Sequence, residues 1–364
     1  MRLQICHLVT SFDTGGLQNG IVNLCNYGSD SSFRHTILSL QAKDGMKARL
    51  RRGDVRTLDF DGGRKLSAYR AIAAVLRDIK PDILHTRNWG TWPDGILAAR
   101  AASISACIHG YHGRDLSNAN SESMKRRMIG RGLSAATKRV VCLSESMKTE
   151  FRRDFGTSEK KIRIIPNGVD LKRMEGPVAD PELASSFSVC TLGRLDAVKN
   201  IPLLIRAFAQ MKTRMPSDRL WIVGEGPERA RLESLIEQSA LGDSVHVLKE
   251  RNDVAAVMKS AQVYVQPSFY EGMSNTIVEA MSIGLPVIAT EVGGNADVSG
   301  GEGYAILVPS DDSAAMASAL DRLRDDAVLR ERLGRAARVR VRGRFTIPKM
   351  VTAYESLYEE VAQS

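Results

Sequence analysis

Short runs of apolar and β-branched residues alternate with longer amphipathic runs along the whole chain of 364 residues. The short runs predict thirteen strands, at residues 3–9, 35–40, 55–59, 82–86, 105–109, 139–143, 162–165, 187–192, 219–223, 244–248, 262–266, 286–290 and 304–307. Helices are predicted between them, the first five near 17–27, 67–79, 93–102, 121–136 and 145–154. Such alternation is typical of parallel sheets covered by helices on both faces. Because one sheet of thirteen strands would be unusually large, the pattern predicts an α/β protein with two doubly wound sheets.

The alternation is interrupted between residues 166 and 186, where three prolines and two glycines occur. We therefore predict two Rossmann-like domains, comprising residues 1–170 and 171–345. The remaining segment, 346–364, has the pattern of an amphipathic helix with no strand after it. This helix needs another surface on which to bury its apolar residues, which are Met350, Tyr354, Leu357 and Val361.

Basic residues are concentrated in the first half of the chain. Residues 1–172 contain 29 Lys and Arg against 16 Asp and Glu, whereas the remainder contains 22 against 26. A basic half indicates an anionic partner, such as a phosphorylated lipid head group or an anionic membrane surface. Nucleic acid is not expected, because aromatic residues make up only 5% of the chain and no recognition motif accompanies the basic residues.

The composition indicates a cytoplasmic protein that associates with the inner face of the membrane at most peripherally. No apolar run approaches the ~20 residues that span a bilayer. The first residues, MRLQICHLVTSF, have the pattern of a strand and lack the features of a signal peptide. Five cysteines occur singly and without CxxC spacing, which predicts buried thiols in a reducing compartment.

Two glutamates lie eight residues apart in SFYEGMSNTIVEAMSIGLPVIAT, residues 268–290. Glu271 is predicted in a loop after a buried strand, and Glu279 on a helix that Ser274 or Asn275 would cap. The start of a helix presents free N–H groups to an anion, and Gly272 allows the backbone to approach closely. Because carboxylates accept hydrogen bonds from vicinal hydroxyls, the segment predicts a site for a ligand with sugar rings and phosphates.

Two cations are predicted at the carboxyl end of another strand. Arg194 and Lys199 follow the strand at 187–192 and precede a helix in which Pro202 suits the first turn. Cations beside a helix start at this edge of a parallel sheet fit a diphosphate. We therefore predict that both side chains bind phosphate.

These segments resemble the retaining GT-B glycosyltransferases of family 4. EGMSNTIVEA is similar to the E-x7-E motif of that family. Further segments resemble the family in the same order and spacing, namely DTGGLQNGIVNL, PDILHTRNWG, ACIHGYHGRD, IIPNGVDLKRM, VCTLGRLDAVKNIPLLIRAF and WIVGEGPERARLE. The resemblance implies two Rossmann-like domains facing a cleft, with the C-terminal helix crossing back to the first domain.

The resemblance also implies the reaction and the donor site. A hexose would pass from a UDP- or GDP-sugar to an acceptor hydroxyl with retention of anomeric configuration. The 171–345 domain would bind the donor, and Glu271, Arg194, Lys199 and His109 would be the catalytic residues. Glu271 would hold hexose hydroxyls and Glu279 the ribose. The remaining donor-binding residues would be Gly15, Gly16, Gly193, Gly272, Met273, Ser274, Asn275 and Thr276.

Several residues of the first domain are predicted at the substrates. Gly15 and Gly16 follow the first strand and would let the backbone approach a phosphate or sugar. The family commonly has an acidic residue two positions later, where this chain has Gln18. The resemblance implies that His109, at a predicted strand end, forms a hydrogen bond with the hexose. The predicted acceptor-side residues are His85, Arg87, Arg114 and Asp115.

A metal cofactor is not expected. Asp59-Phe60-Asp61 has the D-x-D form that holds Mn²⁺ or Mg²⁺ against a diphosphate in other glycosyltransferases. It lies in the first domain, whereas Arg194 and Lys199 are available for the same phosphates in the second. No His and Cys cluster with metal-ligand spacing is evident in the sequence.

The segment 124–139 carries six basic residues. Two interpretations remain open, a solvated helix face and a surface that docks on anionic lipid or on an acceptor bearing pyrophosphate. The apolar residues of the segment are too sparse for an insertion helix.

Other functions remain open from the sequence. One is a GT-B nucleotide-sugar epimerase or phosphorylase, and another is a binding subunit without catalytic activity. A dinucleotide-dependent oxidoreductase is disfavoured, because no G-x-G-x-x-G follows the first strand. The predicted partners are a nucleotide sugar and a sugar, lipid-linked or otherwise anionic acceptor; the base, the hexose and the acceptor are not determined.

Overall fold

A computed structural model describes residues 2–60, 68–113, 122–184 and 186–363. The chain forms two compact units. Unit 1 comprises Met1–Gly168 and Ile347–Ser364, and unit 2 comprises Val169–Thr346. Each unit is built around its own parallel sheet, so the α/β prediction with two Rossmann-like domains is confirmed.

The sheet of unit 1 has seven parallel strands in the order β3-β2-β1-β4-β5-β6-β7. Their bounds are β1 Leu3–Val9, β2 Phe33–Ser39, β3 Asp54–Thr57, β4 Ile83–Arg87, β5 Cys107–Tyr111, β6 Arg139–Cys142 and β7 Ile162–Ile164. The connecting helices are α1 Gly16–Tyr27, α2 Ala68–Ile79, α3 Trp92–Ala101, α4 Met124–Ala136 and α5 Glu145–Phe155. The strand order reverses at β1, which lies between β2 and β4. Open α/β sheets bind ligands at the carboxyl ends of the strands that flank such a reversal.

The last helix of the chain, α14 (Ile347–Gln363), belongs to unit 1. Its apolar face packs in one cluster with sheet residues that include Ile5, Ile83 and Ile108. The four residues that the sequence predicts on this face are all buried. The helix therefore covers one face of the first sheet, although it is encoded after the whole of unit 2.

The sheet of unit 2 has six parallel strands in the order β10-β9-β8-β11-β12-β13. Their bounds are β8 Ser188–Leu192, β9 Arg219–Val223, β10 Val245–Leu248, β11 Val263–Gln266, β12 Val287–Thr290 and β13 Ile306–Val308. The helices are α6 Leu171–Glu175, α7 Ile201–Gln210, α8 Arg229–Gln238, α9 Val254–Lys259, α10 Asn275–Ser282, α11 Gly294–Ser299, α12 Ser313–Asp325 and α13 Ala327–Arg344. Here the order reverses at β8, between β9 and β11. The loops after β8 and β11 are therefore neighbours.

The five cysteines are free and buried, as the sequence predicts. Burial raises the pKa of the Cys6 and Cys25 thiols to about 12, so both are protonated at neutral pH. Among the described residues, no helix has both the length and the apolar character that crossing a membrane requires.

Candidate active site

Lys199 and Glu271 meet at the strand-order reversal of unit 2. Lys199 ends a short 3-10 turn after β8, and Glu271 lies in the loop after β11. The Lys199 Nζ donates to the Glu271 Oε1 at 2.5 Å. The loop is also held by a backbone hydrogen bond of 2.8 Å from the Phe269 N–H to the Val198 carbonyl. The structure thus joins the two separately predicted groups in one ion pair.

Two further side chains orient the Glu271 carboxylate. Its Oε1 also accepts hydrogen bonds from the Gln266 Nε2 at 3.0 Å and from the Ser268 Oγ at 2.9 Å. The side chains of Glu271 and Lys199 are 11% and 24% exposed, so the pair is partly shielded from water and is held by more than its own attraction. Such support fixes the position of a carboxylate before a ligand arrives.

A buried polar network links this carboxylate to the start of α10. The Gln266 Oε1 accepts hydrogen bonds from the Tyr264 hydroxyl, from the Thr276 hydroxyl at 3.1 Å and from the Ser274 hydroxyl at 3.4 Å. Burial raises the pKa of Tyr264 well above its ordinary value, so the phenol stays neutral and can donate. The network fixes the helix start relative to the Glu271 loop.

Helix α10 begins as the sequence predicts. Ser274 is its N-cap and accepts a hydrogen bond of 3.3 Å from the Ile277 N–H. Glu279 lies one turn inside this helix and is half-buried. The helix start, where an anion is favoured, thus follows directly after the Glu271 loop.

Glycines hold the backbone of this region in close contact. A Cβ on Gly294 would lie 1.9 Å from the Gly272 carbonyl, and the Gly294 N–H donates to the Glu271 carbonyl at 2.8 Å. A Cβ on Gly224 would lie 1.9 Å from the Gly193 carbonyl. The loops after β9 and β12 therefore support the two loops that carry the predicted donor-binding residues.

Arg194 lies in the same loop as Lys199 but does not share its contacts. Its side chain is 69% exposed, and its Nε lies 3.8 Å from the Asp196 carboxylate. Its predicted role at a phosphate stays a prediction.

The unit 1 residues that the sequence predicts at the substrates lie on different structural elements. Gly15 is the N-cap of α1, and Gly16 is its first residue. The Gln18 amide donates to the Ser11 carbonyl at 3.0 Å. Gln18 thus helps to shape the loop after β1, and any substrate contact of these glycines stays a prediction.

His109 does not end its strand, contrary to the expectation, because β5 continues to Tyr111. Its ring stacks on Trp92 at 4.1 Å between centroids, and its Nδ1 lies 2.9 Å from the Thr86 hydroxyl. With 1% of the residue exposed, the ring is part of an aromatic core. Its contact with a hexose stays a prediction.

His85 and Arg87 lie within a polar cluster at β4. The His85 Nδ1 lies 3.0 Å from the Tyr358 hydroxyl. Arg87 contacts the His7 Nδ1 at 3.1 Å and the Tyr354 hydroxyl at 3.2 Å. Both tyrosines come from α14, so this cluster depends on the last helix of the chain. Arg114, Asp115 and Asp61 lie outside the described residues.

Sequence reasoning missed the residues that orient the predicted site. Gln266 and Ser268 support Glu271, while His7 and Tyr354 contact Arg87. A polar residue in an otherwise apolar strand is the one available signal, and it is present for Gln266 at the end of VYVQ and for His7 within LQICHLV.

Two family models match the chain. The model for glycosyl transferases group 1 matches residues 182–340, and the model for glycosyltransferase family 4 matches residues 14–173. The chain is 30% identical over 298 residues to the UDP-Gal:α-D-GlcNAc-diphosphoundecaprenol α-1,3-galactosyltransferase of Escherichia coli, a match that covers 78% of this chain and 76% of the relative. The protein belongs to family 4 of the glycosyltransferases and is an enzyme of the hexosyltransferase class.

Two further likenesses cover nearly the whole chain. The lipopolysaccharide core biosynthesis glycosyltransferase LpsD of Rhizobium meliloti is 27% identical over 367 residues, which covers 99% of this chain and 98% of the relative. The crystal structure of HepE from Anabaena in complex with UDP and glucose superposes with a TM-score of 0.85 at 18% identity, and covers 99% of this chain and 100% of that one. The structural likeness shows the GT-B fold.

Proposed function

We propose that this enzyme transfers a hexose from a nucleotide sugar to an acceptor hydroxyl with retention of anomeric configuration. The observation that carries the proposal is the Lys199–Glu271 ion pair, which lies at the strand-order reversal of unit 2 beside the start of α10. A cation, a fixed carboxylate and a helix start suit the phosphates and the hydroxyls of one nucleotide sugar. The proposed route needs no protein nucleophile, because a donor phosphate oxygen assists the acceptor hydroxyl.

Each residue has a distinct proposed role. Lys199 and Arg194 stabilise the negative charge that develops on the leaving nucleotide, which is the main electrostatic requirement of the transfer. Glu271 binds hexose hydroxyls, and Glu279 binds the ribose. The backbone N–H groups of residues 273–276 bind phosphate and sugar. We propose that the enzyme uses no metal cofactor, since these groups supply the stabilisation that a divalent cation would give.

The names of the relatives suggest a donor and an acceptor for this enzyme. The E. coli relative is named for a UDP-sugar and for a diphosphate-linked lipid acceptor, and HepE was crystallised with UDP. We propose a UDP-sugar as donor and a lipid-linked or otherwise anionic glycan as acceptor, in polysaccharide or lipopolysaccharide synthesis. The basic surplus of unit 1, with 29 Lys and Arg against 18 Asp and Glu, favours an anionic acceptor.

A thermal-shift screen of UDP-, GDP-, ADP- and TDP-sugars tests the donor site. One nucleotide series should raise Tm, and Glu279→Ala should reduce the increase because it removes the proposed ribose contact. Glu237→Ala, on the exposed face of α8, is the matched control and should respond like the wild type. If no nucleotide sugar stabilises the protein and Glu279→Ala changes nothing, the donor-site assignment is wrong. Isomerisation of a nucleotide sugar in the absence of acceptor would favour an epimerase.

We also propose that helix α4 docks unit 1 on an anionic membrane. Three of its apolar side chains are exposed, with Met124 at 74%, Met128 at 66% and Ile129 at 41%. Helical spacing puts these residues on the same face as two exposed cations, Lys125 and Arg131. A mixed face of this kind suits docking at anionic lipid head groups without insertion of the whole helix.

Cosedimentation with vesicles that contain phosphatidylglycerol tests this surface. Replacing Lys125 and Arg131 with Gln should weaken binding by about tenfold to thirtyfold, because each basic residue near an anionic surface contributes ~1 kcal/mol. Replacing Lys212, an exposed cation of unit 2, with Gln is the control and should leave binding unchanged. Equal binding of all variants, or binding to purely zwitterionic vesicles, would contradict the proposal.

A further inference from the structure

Arg87, the last residue of β4, is buried, and no carboxylate of the described residues pairs with it. The residue is 3% exposed. Its guanidinium contacts the His7 Nδ1 at 3.1 Å, the His112 Nε2 at 3.3 Å and the Tyr354 hydroxyl at 3.2 Å. Within residues 2–60, 68–113, 122–184 and 186–363, no Asp or Glu forms an ion pair with it. A buried cation without a counter-ion is costly, so the site is electrostatically incomplete.

The surrounding histidines do not supply negative charge and cannot become cations easily. Burial, and then the positive field of Arg87, lower the pKa values of His7, His85 and His112 well below their ordinary value. Arginine cannot lose its proton in a protein. The cluster therefore carries one net positive charge at neutral pH.

The hydrogen bonds of Arg87 determine the tautomers of its neighbours. Because a guanidinium only donates, the His7 Nδ1 and the His112 Nε2 accept, and each ring carries its proton on the other nitrogen. His7 then donates from its Nε2 to the His35 Nδ1 at 3.0 Å. Among the described residues, the His112 Nδ1–H is a buried donor without an acceptor, and the Arg87 Nε–H is another. The unmet hydrogen-bonding capacity at Arg87 and His112 thus consists of donors.

Three of these side chains converge on Gly110 of β5. A Cβ at Gly110 would lie 2.9 Å from the His112 Nε2, 3.0 Å from the Arg87 Cδ and 3.2 Å from the His85 Nε2. The His85 Nε2 also lacks a partner among the described residues. His112 is only half-buried, which leaves one side of the cluster accessible to solvent. The cluster lies at the carboxyl ends of β4 and β5, next to the strand-order reversal where such sheets bind ligands.

We propose that Arg87, His85 and His112 form an anion site that binds a phosphate or diphosphate group of the acceptor. This inference rests on the proposed transferase function and specifies the chemistry of its acceptor. An anion there supplies the missing counter-ion of Arg87 and accepts hydrogen bonds from the unpaired donors. Arg87 is a binding residue in this scheme, and it takes no part in the donor site of unit 2.

A cation is a poorer occupant of the neighbouring region. Ligand atoms of His7, Cys25 and His35 lie within 4.8 Å of one another, a spacing that fits a metal ion. Coordination by the His7 Nε2 would require that nitrogen to lose its proton while Arg87 donates to the Nδ1. The positive charge of Arg87 would also repel the metal. These two effects favour an anion at Arg87 over a metal at His7.

Thermal unfolding in saturating UDP separates this site from the donor site. Inorganic phosphate, pyrophosphate and a short-chain alkyl diphosphate are the probes, with sodium chloride at matched ionic strength as the salt control. The alkyl diphosphate should raise the wild-type Tm by a few degrees. Arg87→Gln should abolish that increase, whereas Arg100→Gln, at an exposed position of α3, should retain it. Arg87→Lys keeps the charge and should retain part of the response.

The same measurements distinguish an esterified diphosphate from a free one and show whether the anion site exists. Without ligand, Arg87→Gln should be at least as stable as the wild type, because it removes an uncompensated buried charge. A stronger response to the alkyl diphosphate than to inorganic pyrophosphate identifies an esterified acceptor, whereas equal responses identify free diphosphate. The proposal is overturned if no phosphate compound acts, if Arg87→Gln responds like the wild type, or if Zn²⁺ stabilises the wild type but not Cys25→Ser. Failure of UDP to bind would contradict the donor site, and the probes would still report on Arg87.

Discussion

Replacing Lys199 with Met should lower the turnover number with the productive donor by about 10²–10³-fold. The substitution keeps the length of the side chain and removes the cation that contacts the Glu271 Oε1 at 2.5 Å. In the proposed reaction this cation stabilises charge on the departing nucleotide, an interaction that strengthens in the transition state. The loss should therefore fall mainly on kcat and less on KM. Rates of nucleotide release, measured at saturating donor and acceptor, provide the check.

The control for this experiment is Lys212→Met, which removes an exposed cation of the same unit. It should keep the wild-type rate. Glu271→Gln, combined with Lys199→Met in a double-mutant cycle, tests whether the two residues act as a pair. Their effects should be strongly non-additive, because either single change already breaks the ion pair. A Lys199→Met enzyme that keeps more than a tenth of the wild-type kcat would refute the catalytic role.

Mild acid should destabilise unit 1 strongly. Burial lowers the pKa of His35 to about 4, and it lowers the pKa values of the four other histidines of this unit, His7, His85, His109 and His112. In the unfolded chain each histidine titrates near ~6.5. Below that pH the unfolded state therefore binds more protons than the folded state. Stability is complete above about pH 6.5 and is lost as the pH falls toward the folded pKa values.

The size of the stability loss in acid depends on how many histidines are kept neutral in the folded unit. Each histidine that stays neutral in the folded unit contributes a loss of about 1.4 kcal/mol per pH unit, so the five together contribute at most ~7 kcal/mol per unit. That is comparable with the whole free energy of unfolding of a typical domain. We therefore expect unit 1 to unfold between about pH 6 and pH 5.

Tryptophan fluorescence allows the two units to be followed separately. Trp89 and Trp92 lie in unit 1, and Trp221 is the single tryptophan of unit 2. Urea unfolding of a Trp221→Phe variant across this pH range reports unit 1, and a variant that keeps only Trp221 reports unit 2. His35→Gln should reduce the pH slope for unit 1 by about one fifth, since one of five groups is removed. Parallel loss of stability in both units would show that the histidine cluster is not the cause.

The local elements could be predicted closely from the sequence. All thirteen strands lie within two residues of their predicted bounds. The N-cap at Ser274 and the helix start near Pro202 were also expected from local chemistry. The strand predicted at 105–109 ends at His109, whereas β5 continues through Gly110 to Tyr111. A glycine within a strand does not by itself end the strand when its backbone remains paired.

The contacts of the candidate sites could not be predicted in the same way. Lys199 and Glu271 are 72 residues apart, and Arg87 and Tyr354 are 267 residues apart. Local sequence shows the type of each residue and whether it lies near the carboxyl end of a predicted strand. It does not give the order of strands in the sheet, which decides which loops become neighbours.

The sequence by itself determined the two parallel-sheet domains and the amphipathic last helix, because these features depend on periodicity and on turn chemistry. It also identified the glutamate pair, the Arg194 and Lys199 cations and the family to which they belong. Only the tertiary structure decided that Glu271 pairs with Lys199 under the support of Gln266 and Ser268. Only it decided that Arg87 is buried among histidines and tyrosines, with no counter-ion in the described part of the chain. The physical reason is that burial and side-chain contacts depend on which elements pack together, and packing in this chain joins residues from opposite ends of the sequence.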